Sequence, residues 1–218
     1  RSTASVNTRW GLRPNLNLNV GYGVIGSYSR QPDNNHSLYG YGANAMVGTP
    51  LSLGLANNGW LATRRSKDIA AVKNTIRLIR NTPSIELSHQ PNGMFNHRLV
   101  VGADFSGEEK LRLIPKNDLN LYRNEHNPGL VRETRSNFRY VTMDYLGRLA
   151  QAFGSDQGWD QELAFGIQAV MNRSDYMWAD GSGLATNSAH VVSAAAQTAG
   201  GQQFLEERSI GYLGQYQL

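Results

Sequence analysis

Apolar and polar side chains alternate with a period of two along much of this chain, the pattern of a strand with one face on apolar surroundings and one on polar. Between residues 16 and 29, Leu16, Leu18, Val20, Tyr22 and Val24 fall on one side, and Asn17, Asn19, Gly21 and Gly23 on the other. Around Ile79 to His89, Ile79, Pro83, Ile85 and Leu87 oppose Arg80, Thr82, Ser84, Glu86 and Ser88, with Asn81 interrupting the apolar row. Phe95 to Ser106 sets Leu99, Val101, Ala103 and Phe105 against Arg98, Gly102, Asp104 and Ser106. Val141, Met143, Tyr145 and Leu149 continue the series, as do Leu163, Phe165, Ile167, Ala169 and Met171, and then Ile210, Tyr212, Tyr216 and Leu218. A strand near Thr3 to Trp10 brings the expected total to about seven.

A soluble sandwich would alternate in the same way, so the connections between strands decide. Tight turns are expected at Gly11 to Asn15, at Gln90 to Met94 with its Pro91-Asn92-Gly93 signal, and at Gly154 to Gly158. Between them lie long polar stretches near residues 30 to 74, 107 to 137 and 172 to 203. Short turns alternating with long loops characterise outer-membrane β-barrels, whereas compact soluble domains seldom carry several such loops. The expected fold class is therefore all-β: an antiparallel meander of about seven long strands forming part of a transmembrane β-barrel, with short periplasmic turns and long extracellular loops. Trp10, Phe95, Phe153 and Trp159 stand beside the short turns, where an interfacial aromatic girdle would fall. Against the pattern, Pro83 removes a ladder donor. Ser66 to Ile79 has apolar spacing that suits a short amphipathic helix, and Ser188 to Thr198 is also helix-permissive.

Composition narrows the class further. The 218 residues contain 23 Gly, 10 Tyr and no Cys, and no apolar run is long enough for a transmembrane helix. A net charge of +4 could suggest nucleic acid. The basic residues, however, are scattered from Arg64-Arg65 to Arg148 without the clustered stripe and stacking aromatics of a nucleic-acid groove, so no nucleic-acid partner is expected. The chain opens on Arg1 without a leader pattern and stops at Leu218 inside an apparent strand, which reads as an internal piece of a longer barrel.

Motifs for chemistry are sparse. Gly21-Tyr22-Gly23-Val24-Ile25-Gly26 matches G-x-G-x-x-G, but Ser27 to Asn35 cannot open the helix that would receive a pyrophosphate. Five histidines lack metal-ligand spacing, and adjacent carboxylates such as Glu108-Glu109 and Glu206-Glu207 point to opposite faces of a strand. Asp180-Gly181-Ser182-Gly183 lacks a calcium-loop frame and reads as a loop tip. No nucleophile and base can be assembled, so the expectation is no enzyme, no cofactor and no metal.

The run Glu207-Arg208-Ser209-Ile210-Gly211-Tyr212-Leu213-Gly214-Gln215 resembles a barrel strand of SusC/RagA-like TonB-dependent outer-membrane receptors. So do Arg13-Pro14-Asn15-Leu16, the run from Arg98 to Asp104, Ile114-Pro115-Lys116-Asn117-Asp118, and Val141-Thr142-Met143-Asp144-Tyr145, in family order over most of the chain. The resemblance implies a location in the bacterial outer membrane and a barrel energised by TonB through an N-terminal part, including a plug, that this sequence does not contain. It implies import of nutrients such as oligosaccharides or peptides, with membrane lipids and a surface lipoprotein as further partners. Residues 1 to 218 would then be one portion of the receptor's barrel domain. Loop aromatics Tyr39, Tyr41, Trp60, Tyr122, Tyr176 and Trp178 are the expected substrate contacts, because flat apolar rings with polar tips suit sugars and peptides. The competing reading is a soluble or adhesin-like β-sheet binding module without energised transport.

Overall fold

The alternation read from the sequence is realised as hydrogen-bonded ladders in a computed structural model. The structure describes residues 1–31, 41–42, 70–116, 128–153, 159–186 and 188–217. Seven strands follow in chain order: β1 (Ser2–Arg13), β2 (Leu16–Gln31), β3 (Lys73–His89), β4 (Phe95–Ile114), β5 (Leu130–Phe153), β6 (Trp159–Leu184) and β7 (Ala195–Gln217). Each pairs antiparallel with the next, giving one open sheet in the order β1 to β7. The fold is thus all-β, a seven-stranded antiparallel meander.

Short turns close one end of the sheet. Between β3 and β4 the Asn92 carboxamide oxygen accepts from the Met94 and Phe95 amides at 3.0 and 2.8 Å, the side-chain-closed turn that the Pro-Asn-Gly run favours. The expected Gly154–Gly158 turn lies outside the described residues. At the opposite end the connections are longer, but shorter than the sequence suggests, because β4 runs on to Ile114, β5 begins at Leu130, β6 runs to Leu184 and β7 begins at Ala195. Apolar alternation fades in these extensions while the backbone ladder continues. Cross-strand ion pairs such as Arg132–Asp180 and Arg135–Glu109 replace the apolar contacts.

Three local expectations are corrected. Lys73 to Ile79 is strand, so Ile76 and Ile79 are ladder residues and the amphipathic helix is not formed there. Within Ser188 to Thr198 only one 3-10 turn, Val192–Ala194, precedes β7. The Asp180–Gly183 run is part of β6, with Asp180 paired to Arg132, and is not a loop tip. Pro83 stays within β3 without shifting its register: pairing to β4 passes from Asn81↔Phe105 to Ser84↔Gly102 and omits Thr82 and Pro83.

Register fixes the two faces. The residues Trp10, Leu18, Leu87, Leu99, Tyr145, Ile167 and Tyr212 form one continuous cross-strand row, and Thr8, Val20, Ile85, Val101, Met143, Ala169 and Ile210 form the next. These rows belong to an apolar face on which many side chains are exposed, among them Val101 at 37% and Tyr212 at 80%, while Leu18, Val20, Leu87, Leu99 and Tyr145 are half-buried. No second layer covers them among the described residues. Buried apolar side chains are confined to the long-connection end, where Val72 meets Ile114, and Leu113 and Val131 meet Leu184. Gly129 enters β5 at φ +85° beside Leu184, and Gly183 bonds back to it at 3.1 Å.

The apolar band crosses the ladders obliquely. Level with Arg30 of β2 stand Thr75, Leu111, Glu133, Ala179 and Gly200, yet on this face of β7 the band ends only at Arg208. The offset from Gly200 to Arg208, spread over five strand spacings, inclines the boundary to the strand normal by about 45° at about 3.3 Å per residue and 4.8 Å per strand. Asn81, inside the band, is satisfied by the Tyr22 hydroxyl, which donates to its carboxamide oxygen at 2.7 Å. Near the short turns this face carries rings in contact: Phe95 stacks on His97 at 5.2 Å, and His97, Tyr145 and Phe165 follow at 5.8 and 6.2 Å.

Candidate functional site

The opposite face is polar and small in its middle, because alternation places Gly21, Gly23, Ser84, Gly102 and Thr142 there. A side chain at Gly21 would meet Ser84 Oγ at 2.6 Å and Asn7 Oδ1 at 2.7 Å, and one at Gly23 would meet Thr82 Oγ1 at 2.5 Å. These glycines keep that surface low under neighbouring polar side chains. The G-x-G-x-x-G run is wholly strand, without the helix that phosphate binding through this motif requires.

Beside this low surface, β5 and β6 raise aromatic side chains. Phe138 and Tyr140 stack nearly parallel, with centroids 6.4 Å apart and planes at 5°. Register puts Tyr176 and Trp178 on the same face, level with Ser136 and Thr134. The Trp178 indole lies across Gly201 of β7, so closely that a Cβ there would stand 2.8 Å from the ring nitrogen. Tyr140 also borders a shallow depression shared with Thr82, Ser84, Asp104 and Thr142.

Several charges on this face are held in pairs. Arg80 grips Asp104 through Nε and Nη2 at 2.9 and 2.5 Å, and Arg132 grips Asp180 at 2.6 and 2.5 Å. The Arg132 guanidinium is pushed above its usual range, chiefly by the hydrogen bonds it donates to Asp180, against partial desolvation. Gln168 donates to Asp144 at 2.6 Å, and Arg148 pairs with Glu162. Such forks leave ring faces as the available apolar contacts between fixed polar groups, an arrangement suited to holding a ligand. Among the described residues no group of three His, Asp or Glu converges on a metal position.

Of the residues singled out from the sequence, Tyr176 and Trp178 belong to strand β6 and not to a loop. Strand pairing with β5 and β7 continues past both, and this fixes their direction. Tyr41 is half-buried in a short helical segment at residues 41–42, apart from them in the chain. Tyr39, Trp60 and Tyr122 lie outside the described residues. Phe138 and Tyr140 escaped the sequence reading, although their spacing of two beside alternating Arg139 was a visible sign of a shared face.

Comparison with solved structures decides the architecture. The sheet superimposes on a stretch of the RagAB peptide transporter with a TM-score of 0.70 at 11% identity, over 98% of this chain and 25% of that one. The fold is similar to that of a stretch of RagAB. The RagAB peptide importer in its open-open state gives 0.66 at 10% identity over 99% of this chain, and the closed-closed state 0.63 at 11% over 98%. The chain therefore spans about a quarter of the length of these RagAB chains. No protein-family model and no curated protein matches the sequence.

Proposed function

We propose that this chain is a wall segment of a TonB-dependent receptor in the bacterial outer membrane, which imports nutrients such as oligosaccharides or peptides. The reading rests above all on the oblique apolar band. From Gln161 to Arg173 on β6 the band spans about 40 Å along the strand, or about 28 Å once inclined by 45°. Outer-membrane barrel strands tilt by about 35–45° and carry an apolar belt about 25 Å tall. The aromatic rows beside the short turns suit the interfacial girdle, with the turns on the periplasmic side and the long connections outside. In this arrangement the polar face lines the lumen, where Phe138, Tyr140, Tyr176 and Trp178 contact passing substrate. The SusC/RagA-like resemblance and the RagAB fold support import, with TonB acting through parts of the receptor beyond this segment and a surface lipoprotein as partner.

The chain has no cysteine, so single cysteines in the full receptor report each face. A fluorophore at Val101 or Ile167 is expected to be quenched by brominated lipids, while one at Thr142 or Gln168 is not. Equal response from the two faces, or none from either, refutes the reading.

A further inference from the structure

On the apolar face, the long-connection boundary of the band is marked almost entirely by arginine. From β2 to β7, the first charged residue met on leaving the band is Arg30 on β2, Arg77 on β3, Arg139 on β5, Arg173 on β6 and Arg208 on β7; β4 differs, with Glu109. A merely solvated rim could use either sign. At the short-turn boundary the corresponding positions of β3 to β6 are His89, His97, Gln151 and Gln161, so the two margins differ in character.

Arg139 and Arg173 stand directly opposite each other across the β5–β6 ladder. Like charges in that position repel. Arg173 is engaged by Asp175 at 3.1 Å and Glu206 at 3.5 Å, and Arg208 pairs with Glu206 as well. Arg139 is exposed and, among the described residues, makes no ion pair; its other cross-strand neighbour is Phe105. One anion between the two guanidinium groups would relieve the repulsion and could accept from both. Immediately below lie Val141 and Met171, a surface for acyl chains and of no use to a small soluble anion.

We propose that Arg139, Arg173 and Arg208 form a docking row for the phosphate groups of an anionic lipid headgroup. This rests on the membrane reading above, and it adds that the wall selects its lipid neighbours at the outer margin. Glu206 and Asp175 hold Arg173 in place between Arg139 and Arg208, while Arg139 makes no ion pair of its own among the described residues.

The test titrates the full receptor in neutral detergent with a fluorescent bisphosphorylated glycolipid (lipid A), with its dephosphorylated form, and with inorganic phosphate as competitor. Arg139→Gln and Arg208→Gln are each expected to weaken binding of the phosphorylated lipid about fivefold, matching roughly 1 kcal/mol per basic residue at an anionic surface. The dephosphorylated lipid should be insensitive to both changes, and Arg98→Gln on the opposite face should leave binding unchanged. Unchanged affinity in the Arg139 and Arg208 variants, equal losses for the dephosphorylated lipid, or complete displacement by millimolar inorganic phosphate each overturns the docking row. Brominated-lipid quenching at Val101, measured on the same preparations, separates the two readings. Quenching retained with the row overturned removes only this inference, whereas quenching lost removes the membrane assignment with it.

Discussion

Placing one arginine at successive depths of β5 measures the apolar band directly. On the apolar face the strand carries Leu149, Gly147, Tyr145, Met143 and Val141 before Arg139 ends the band. Tyr145 is central, so Met143 lies one register step away, about 5 Å from the midplane after a 45° inclination. Met143 is 40% exposed and supports no buried core, so a soluble sheet would accept Met143→Arg at a cost within about 0.5 kcal/mol. In a bilayer the same change near the midplane costs about 2–4 kcal/mol, falling to about 0–1 at the interface, where Leu149 stands. Thr142→Arg, one residue away on the polar face, should cost about 0.5 kcal/mol or less. Urea unfolding of the full receptor in lipid vesicles, followed by tryptophan fluorescence, gives the three values. A Met143→Arg cost below about 1 kcal/mol, or one equalled by Thr142→Arg, refutes the assignment of faces.

Other positions test the packing and the site. Gly21→Val should destabilise by about 1–3 kcal/mol in the same assay, because Ser84 and Asn7 occupy the space its side chain needs, whereas Gly26→Val meets nothing within 4 Å and should be nearly neutral. Tyr22→Phe removes the side-chain hydrogen bond that Asn81 accepts inside the band, for an expected loss of about 1–2 kcal/mol; Asn81→Leu in the Tyr22→Phe background should restore most of it, and a double-mutant cycle reads the coupling. Tyr176→Ala and Trp178→Ala should each weaken substrate binding by roughly fivefold to tenfold without moving the unfolding midpoint, as measured by calorimetry with the receptor's own substrate. Asp175 is held below the usual carboxylate range, first by its hydrogen bond from Arg173. Its contribution is therefore complete above the ordinary carboxylate pKa near 4 and is lost as pH falls below it, so Asp175→Asn should lower stability at neutral pH, leave it unchanged at the acid extreme, and so flatten the acid limb.

What the sequence conveyed was the alternation wherever the apolar row is dense. Val20, Val101, Met143 and Ile210 identify the apolar face of β2, β4, β5 and β7, and the Pro91-Asn92-Gly93 turn is where it was expected. What it hid were the strand ends. Beyond the band, Arg132, Arg135, Asp175 and Asp180 lie on strands held by backbone ladders and ion pairs, and neither leaves a hydrophobic period to read. By sequence alone Tyr176 and Trp178 therefore read as loop residues, although the ladder carries them onto the polar face. Ile76 and Ile79 suited a helix by spacing alone, and pairing with Ser29 and Gly26 overrode it. The aromatic pair Phe138 and Tyr140 was hidden because a ring on a polar face differs from a ring on an apolar face only by parity.

The oblique boundary also bears on how the sheet finds its alignment. A slip of two residues between neighbouring strands keeps every side chain on its proper face and most ladder bonds intact, so neither pleat nor hydrogen bonding strongly opposes it. On the membrane reading proposed above, the same slip would carry Arg139 or Arg173 a full step into hydrocarbon on one side and lift an apolar row into water on the other. In a sheet that spans a bilayer as proposed, membrane thickness would serve as the gauge against which each new strand is set, with the arginines as its graduation marks.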